Sequence, residues 1–283
     1  MSKPPPASRP RQDKASQTLE KAVLALRMQR PDEAERLAAS VLKGERDNVV
    51  ATQVLGTALL SQNRAEDAVE ALQKTALRAT DPAIETLLAK ALTAAGRPDE
   101  ALDQLRRASE RRPPYPLAFL DLGEGLGADG RFDEAVAVLE TGLALIPKAD
   151  GLRIALGYLH LKRNDRVRAR RLFQQVRTAA PQRQDAMVGL AKVMVLDGEY
   201  AQAADLYRRA LVLQPGDAAT RLSLGKCLLE MGEREAGEAA IRAATHEAAQ
   251  LAGPAITALA ATSRGRFFLR PSAALKFLNA EAT

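Results

Sequence analysis

The chain has 283 residues, 46% hydrophobic and 27% charged but only 4% aromatic, and it carries one Cys, two His and no Trp. That length suits one elongated domain or two small ones at ~100–200 residues per domain, and the abundance of Ala, Leu, Glu and Arg argues for helices over sheet. The net charge of +6 sits at the ends, +3 in residues 1–14 and +3 in residues 264–283, with the rest neutral. A phosphate-gripping protein spreads its excess along a face, so nucleic acid is not expected as a partner.

Residues 1–14, MSKPPPASRPRQDK, are rich in Pro and basic residues and cannot bury area, which predicts a disordered basic tail. This stretch lacks the apolar core of a signal peptide. No later stretch reaches 18 uncharged apolar residues, so no transmembrane segment is expected and a cytoplasmic location is the default.

From residue 15 to 249 the sequence repeats itself. The strings VLGTALLSQNRAEDAVEALQ, DLGEGLGADGRFDEAVAVLE, ALGYLHLKRNDRVRARRLFQ, GLAKVMVLDGEYAQAADLYR and SLGKCLLEMGEREAGEAAIR align without gaps. Seven units start at Ala15, Val49, Pro82, Pro116, Asp150, Gln184 and Ala218, a period of 34 with a single 33. Position eight is always Gly or Ala, and position twenty reads Ala34, Ala68, Ala101, Ala135, Ala169, Ala203 and Gly237. Bulky residues stand at position twenty-four, among them Leu72, Leu139, Phe173, Tyr207 and Ile241.

Each unit therefore reads as a pair of antiparallel helices, A and B. Small residues at eight and twenty let the pair approach closely, and the bulky ones fill the seam. Gly at position fifteen (Gly96, Gly130, Gly198, Gly232) ends helix A in the left-handed conformation, and Pro at thirty-two (Pro113, Pro147, Pro181, Pro215) closes helix B. One hairpin cannot cover its own apolar face, so neighbours must stack.

This pattern resembles the tetratricopeptide repeat family over residues 15–249. The resemblance implies an all-α fold, a right-handed α-solenoid of helix-turn-helix units with helix A lining a concave groove. The family's usual Trp at position four is absent throughout.

Beyond the array, residues 250–263 predict a short capping helix starting near Pro254. The last segment, 264–283, interleaves Phe267, Phe268 and Phe277 with basic residues including Arg270, and predicts a final helix near 272–279. It either folds back onto the array or docks a partner.

No catalytic constellation stands out. A lone Cys227 excludes an internal disulfide and a two-cysteine metal knuckle, and His160 and His246 are too few for a multi-histidine zinc site. Residues 125–130 match the letters G-x-G-x-x-G but fall at the C-terminal end of a helix A, where the dipole repels phosphate. No catalytic residue, cofactor or metal is expected.

The family register instead points to the groove: Lys90, Glu124, Tyr158, Lys192 and Lys226 at position nine, with Gly127, Leu161, Val195 and Leu229 at position twelve. Repeats 4 to 7 thereby offer an apolar stripe flanked by lysines, suited to an amphipathic helix or an extended peptide with apolar anchors. Residues 116–149 carry a net −4 and residues 150–183 a net +7, so the basic turn with Arg163, Arg166 and Arg170 is either neutralised across a repeat boundary or a second docking site. The expectation is a non-enzymatic adaptor for a protein segment. The alternatives are an accessory or regulatory subunit of a separate transferase-type or envelope-assembly enzyme, and self-association through the end repeats.

Overall fold

The computed structural model describes residues 9–262, 265–266 and 270–279, without the side chains of 9–13 and 271. Among the described residues there are sixteen α-helices, one 3-10 turn and no strand. The chain divides into two compact units, residues 1–152 and 153–283.

The first unit holds α1 (Arg9–Arg27), α2 (Pro31–Gly44), α3 (Val49–Ser61), α4 (Ala65–Ala79), α5 (Pro82–Ala94), α6 (Pro98–Glu110), α7 (Pro116–Ala128) and α8 (Phe132–Leu145). Helix α9 (Asp150–Lys162) opens at the unit boundary. The second unit continues with α10 (Arg166–Ala179), α11 (Gln184–Leu196), α12 (Tyr200–Leu213), α13 (Ala218–Glu230), α14 (Arg234–Glu247), α15 (Ala252–Ala261) and α16 (Pro271–Leu278). The first fourteen helices are the seven expected hairpins, and each unit is an all-α solenoid segment.

One expectation is corrected at the amino terminus. Helix α1 begins at Arg9, so residues 9–14 are helical where a disordered tail was predicted. Pro10 falls in the first turn, where its missing N–H costs no helical bond. Residues 1–8 lie outside the described residues.

The hairpin turn obeys a single rule in all seven repeats. Position fifteen has positive φ every time: Gln29, Asn63, Gly96, Gly130, Asn164, Gly198 and Gly232. Asn tolerates the left-handed region better than most side chains, which explains two of the three non-glycine cases. The next N–H then bonds back to the carbonyl five residues earlier, as in Arg97 to Leu92 at 2.8 Å and Glu233 to Leu228 at 2.9 Å. This closes helix A as a Schellman motif and satisfies its orphan carbonyls.

The A–B seam is as close as the small residues foretell. A Cβ added at Gly123 would meet Leu139 Cγ at 2.7 Å, at Gly157 it would meet Phe173 Cζ at 2.8 Å, and at Gly225 it would meet Ile241 Cγ1 at 2.6 Å. Position eight thus faces position twenty-four of its own repeat.

Position four, vacated by Trp, is used differently in each hairpin. Buried Thr52 meets Thr75 at 3.3 Å. Glu85, 2% exposed, takes Arg111 Nη2 at 2.7 Å. Arg221 pairs with Glu247.

Candidate functional site

The helix-A faces carry the candidate site, and the two units present different chemistry. In the first unit, α5, α6 and α7 enclose a cleft of about 690 Å³. Its floor is Ala101, Leu102 and Leu105 of α6, and its walls include Ala89, Lys90 and Thr93 of α5. From α7 come Asp121, Glu124, Gly125 and Ala128, which share one helical face at spacings of three, four and seven. The cleft is open because its walls are small. A Cβ at Gly125 would stand 3.0 Å from Leu102 Cδ2.

Two predicted groove residues, Lys90 and Glu124, therefore line this cleft. Gly127 does not. It is buried, whereas Gly125 reaches the opening, because two residues along a helix turn the side chain ~200° away. Asp121, Asp99 and Asp129 also line the cleft and were missed by the register. The cluster Gly123, Gly125 and Gly127 was the available signal, but which glycine opens outward depends on the neighbouring helices.

Lys90 Nζ lies 3.3 Å from Asp121 Oδ2. That oxygen is buried and makes no hydrogen bond of good geometry. Burial raises the Asp121 carboxyl above the usual aspartate range, with Lys90 pulling the other way.

In the second unit Tyr158, Leu161 and Val195 are half-buried against the core around Phe173 and Leu190. Lys192 Nζ sits 5.0 Å above the Tyr158 ring, which meets Phe173 edge-on at 5.1 Å between centroids. Desolvation pushes the Tyr158 hydroxyl up to about 12. Lys226, on α13, is half-buried.

Leu229 is a correction. It is fully buried and belongs to the core formed with Leu222, Ile241, Ala255 and Leu259. Its Cγ packs where Gly237 has no side chain, 2.8 Å from an added Cβ, so it fills its own hairpin seam and is not available to a partner.

The basic turn is also largely spoken for. Arg166 Nη1 bonds Asp197 Oδ1 at 3.0 Å and Leu196 O at 2.7 Å. Arg170 grips Glu199 with two nitrogens, at 2.8 and 3.1 Å, and Asp197 at 2.7 Å. Its neutralising carboxylates come from the next hairpin, and these pairs hold the Asp197 carboxyl below the usual range. Arg163 is exposed at the same turn and also has a partner.

At the carboxyl end the described residues pack onto the array. Helix α16 buries Ala274 and Leu278. Phe277 lies between the guanidinium groups of Arg242 and Arg266, 5.2 and 4.7 Å from its centroid, and Arg266 Nε reaches buried Glu238 at 3.1 Å. Phe277 is thus an internal contact where a partner contact was one of two expectations. Arg270 is exposed, and Phe267 and Phe268 lie outside the described residues.

Sequence comparison agrees with this geometry. A tetratricopeptide repeat model matches residues 25–91, 92–144 and 194–262, more than half the chain, and a second model of the same description matches 154–218. The chain belongs to the tetratricopeptide repeat family. It is 30% identical over 171 residues to the Cellulose synthase 2 operon protein C of Komagataeibacter xylinus, a match spanning 57% of this chain and 13% of that protein. Among solved structures, a tetratricopeptide repeat protein from Parabacteroides merdae is 17% identical with a TM-score of 0.63, covering 94% of this chain and 99% of that one. The Cut9–Hcn1 hetero-tetramer of the APC/C gives 15% identity and a TM-score of 0.66, covering 92% and 48%. At such identities these structures attest the fold alone. Repeats of this family indicate protein interaction. No described helix is long and apolar enough to cross a membrane.

Proposed function

We propose that this chain is a non-enzymatic adaptor that holds a protein segment against its helix-A face by an apolar side chain. The observation that supports this reading is the α5–α7 cleft: an apolar floor, small walls and polar groups at the mouth, of a size within the ~300–1,000 Å³ of ligand sites. The Tyr158, Leu161, Lys192, Val195 and Lys226 strip of the second unit is a further contact surface in the same reading.

Filling the cleft tests it. A photo-crosslinking residue at Thr93 is expected to capture a discrete partner, and Gly125→Leu or Ala128→Trp is expected to abolish that capture while helix content is unchanged. Identical crosslinks from the filled variants would refute the assignment. The likeness to the cellulose synthase operon protein favours a second reading, an accessory to a separate transferase-type or envelope-assembly enzyme. Co-elution of such an enzyme with the chain would support it, and separate elution would count against it.

A further inference from the structure

We propose that a pocket between the B helices α4 and α6 is a second docking site, one that takes an acidic side chain, Glu or Asp, of a partner protein segment. It shares no lining residue with the α5–α7 cleft, so it stands or falls apart from the function proposed above.

The pocket has a volume of about 220 Å³. Its floor is apolar, with Ala76 of α4 and Leu88 of α5 both buried. Beside the floor lies a closed ion pair. Glu85 is 2% exposed, and both its oxygens accept from Arg111, at 2.7 Å from Nη2 and 3.2 Å from Nε. That pair is neutral as a unit, and its carboxylate is already bonded.

The other polar lining is open. It consists of Gln73 of α4, Thr80 at the end of α4, and Gln104 and Arg107 of α6. Among the described residues none of these four side chains makes a hydrogen bond or ion pair with the protein. The acids nearest Arg107 along α6 do not serve it within the pocket: Asp103 accepts from Arg106 at 2.8 Å, and Glu110 is not part of the lining. A guanidinium carries five N–H donors and no acceptor, and amides and a hydroxyl can turn a donor toward the same point. The complement of such a lining is a group that only accepts. Among protein side chains that is an ionised carboxylate, which Arg binds through two parallel N–H bonds. A basic side chain would bring donors to donors.

Size and rim decide the source of that carboxylate. The volume falls short of the ~300–1,000 Å³ of small-molecule sites but holds one side chain. Leu77, 74% exposed, also lines the pocket, where an aliphatic residue next to the acidic one would cover it. Thr80 holds a φ of +46°, which β-branched residues rarely adopt, and strain of that kind concentrates at ligand-binding positions.

The test uses the full chain with nitrogen-labelled side chains and two short capped peptides, identical except for a central Glu or Gln flanked by Leu. The signals of Arg107 Nε–H and the Gln104 amide are followed by NMR during titration at low salt. The Glu peptide is expected to shift both and to bind about fivefold more tightly than the Gln peptide, the upper end for one exposed ion pair. Arg107 is exposed, so Arg107→Gln should leave stability unchanged while it removes the preference for Glu. Leu77→Ala should weaken both peptides alike, and Gly125→Leu, which fills the other cleft, should change neither.

Equal binding of the two peptides, or a Glu preference that survives Arg107→Gln, would overturn the proposal. Shifts confined to residues outside the pocket would refute its location, as would loss of Glu-peptide binding in Gly125→Leu. Free glutarate separates the two sources of a carboxylate. Much weaker binding than the Glu peptide supports a docked segment, and equal binding at the same signals would refute it in favour of a free small carboxylate.

Discussion

Gly189→Ala should destabilise the second unit although alanine is the better helix former. Phe173 is fully buried and wedged between glycines of two helices, Gly157 of α9 and Gly189 of α11. A Cβ at Gly189 would stand 2.6 Å from Phe173 Cδ1 and Cζ, about 1 Å inside carbon–carbon contact. The ring cannot retreat, because on its other side a Cβ at Gly157 would already meet Cζ at 2.8 Å. Overpacking of this severity costs about 3 kcal/mol, against a propensity gain of about 1 kcal/mol, for a net loss of about 2 kcal/mol. Urea and thermal unfolding followed by far-UV circular dichroism read this as a lower midpoint, by roughly 6–10 °C for a unit of this size. Phe173→Leu in the same chain removes the clash, so the double variant should be more stable than the sum of the singles by about 1–2 kcal/mol. A Gly189→Ala protein as stable as the parent, or additive effects in the cycle, would refute the interlock.

Other consequences follow from particular contacts. Arg111→Met leaves the buried Glu85 carboxylate without its cation and should cost about 3 kcal/mol, most of it recovered by adding Glu85→Leu, as equilibrium unfolding would show. Because burial raises the Asp121 carboxyl, its ionisation costs the folded state stability. Asp121→Asn should therefore stabilise the chain at neutral pH, with the gain vanishing as pH falls below the ordinary aspartate range. Cys227, 1% exposed and with its thiol pushed up to about 11, should resist a thiol reagent in the native state and react only on unfolding. Leu229→Glu should lower stability by more than about 3 kcal/mol, seen as a destabilised α13–α15 region in hydrogen exchange, because it buries an unpaired charge.

Most of the hairpin was legible in the residues themselves. The small residue at eight, the bulky one at twenty-four, the turn at fifteen and the small residue at twenty meet within one repeat, at short sequence separation, so a 34-residue pattern encodes their contacts. Even the turns without glycine keep the rule, since Gln29, Asn63 and Asn164 adopt the same left-handed conformation.

What the period could not encode is which helix-A side chains stay open. Leu161, Val195 and Leu229 share position twelve, yet the first two are half-buried and the third is sealed against Gly237 and the capping helix α15. Arg170 resembles a docking residue until Asp197 and Glu199, 27 and 29 residues away, reach it. The cleft likewise exists only where α5, α6 and α7 leave small residues facing one another around Gly125. Short-range sterics write the hairpin into the chain. Exposure and charge balance are sums over neighbouring helices, and only the packed structure carries out those sums.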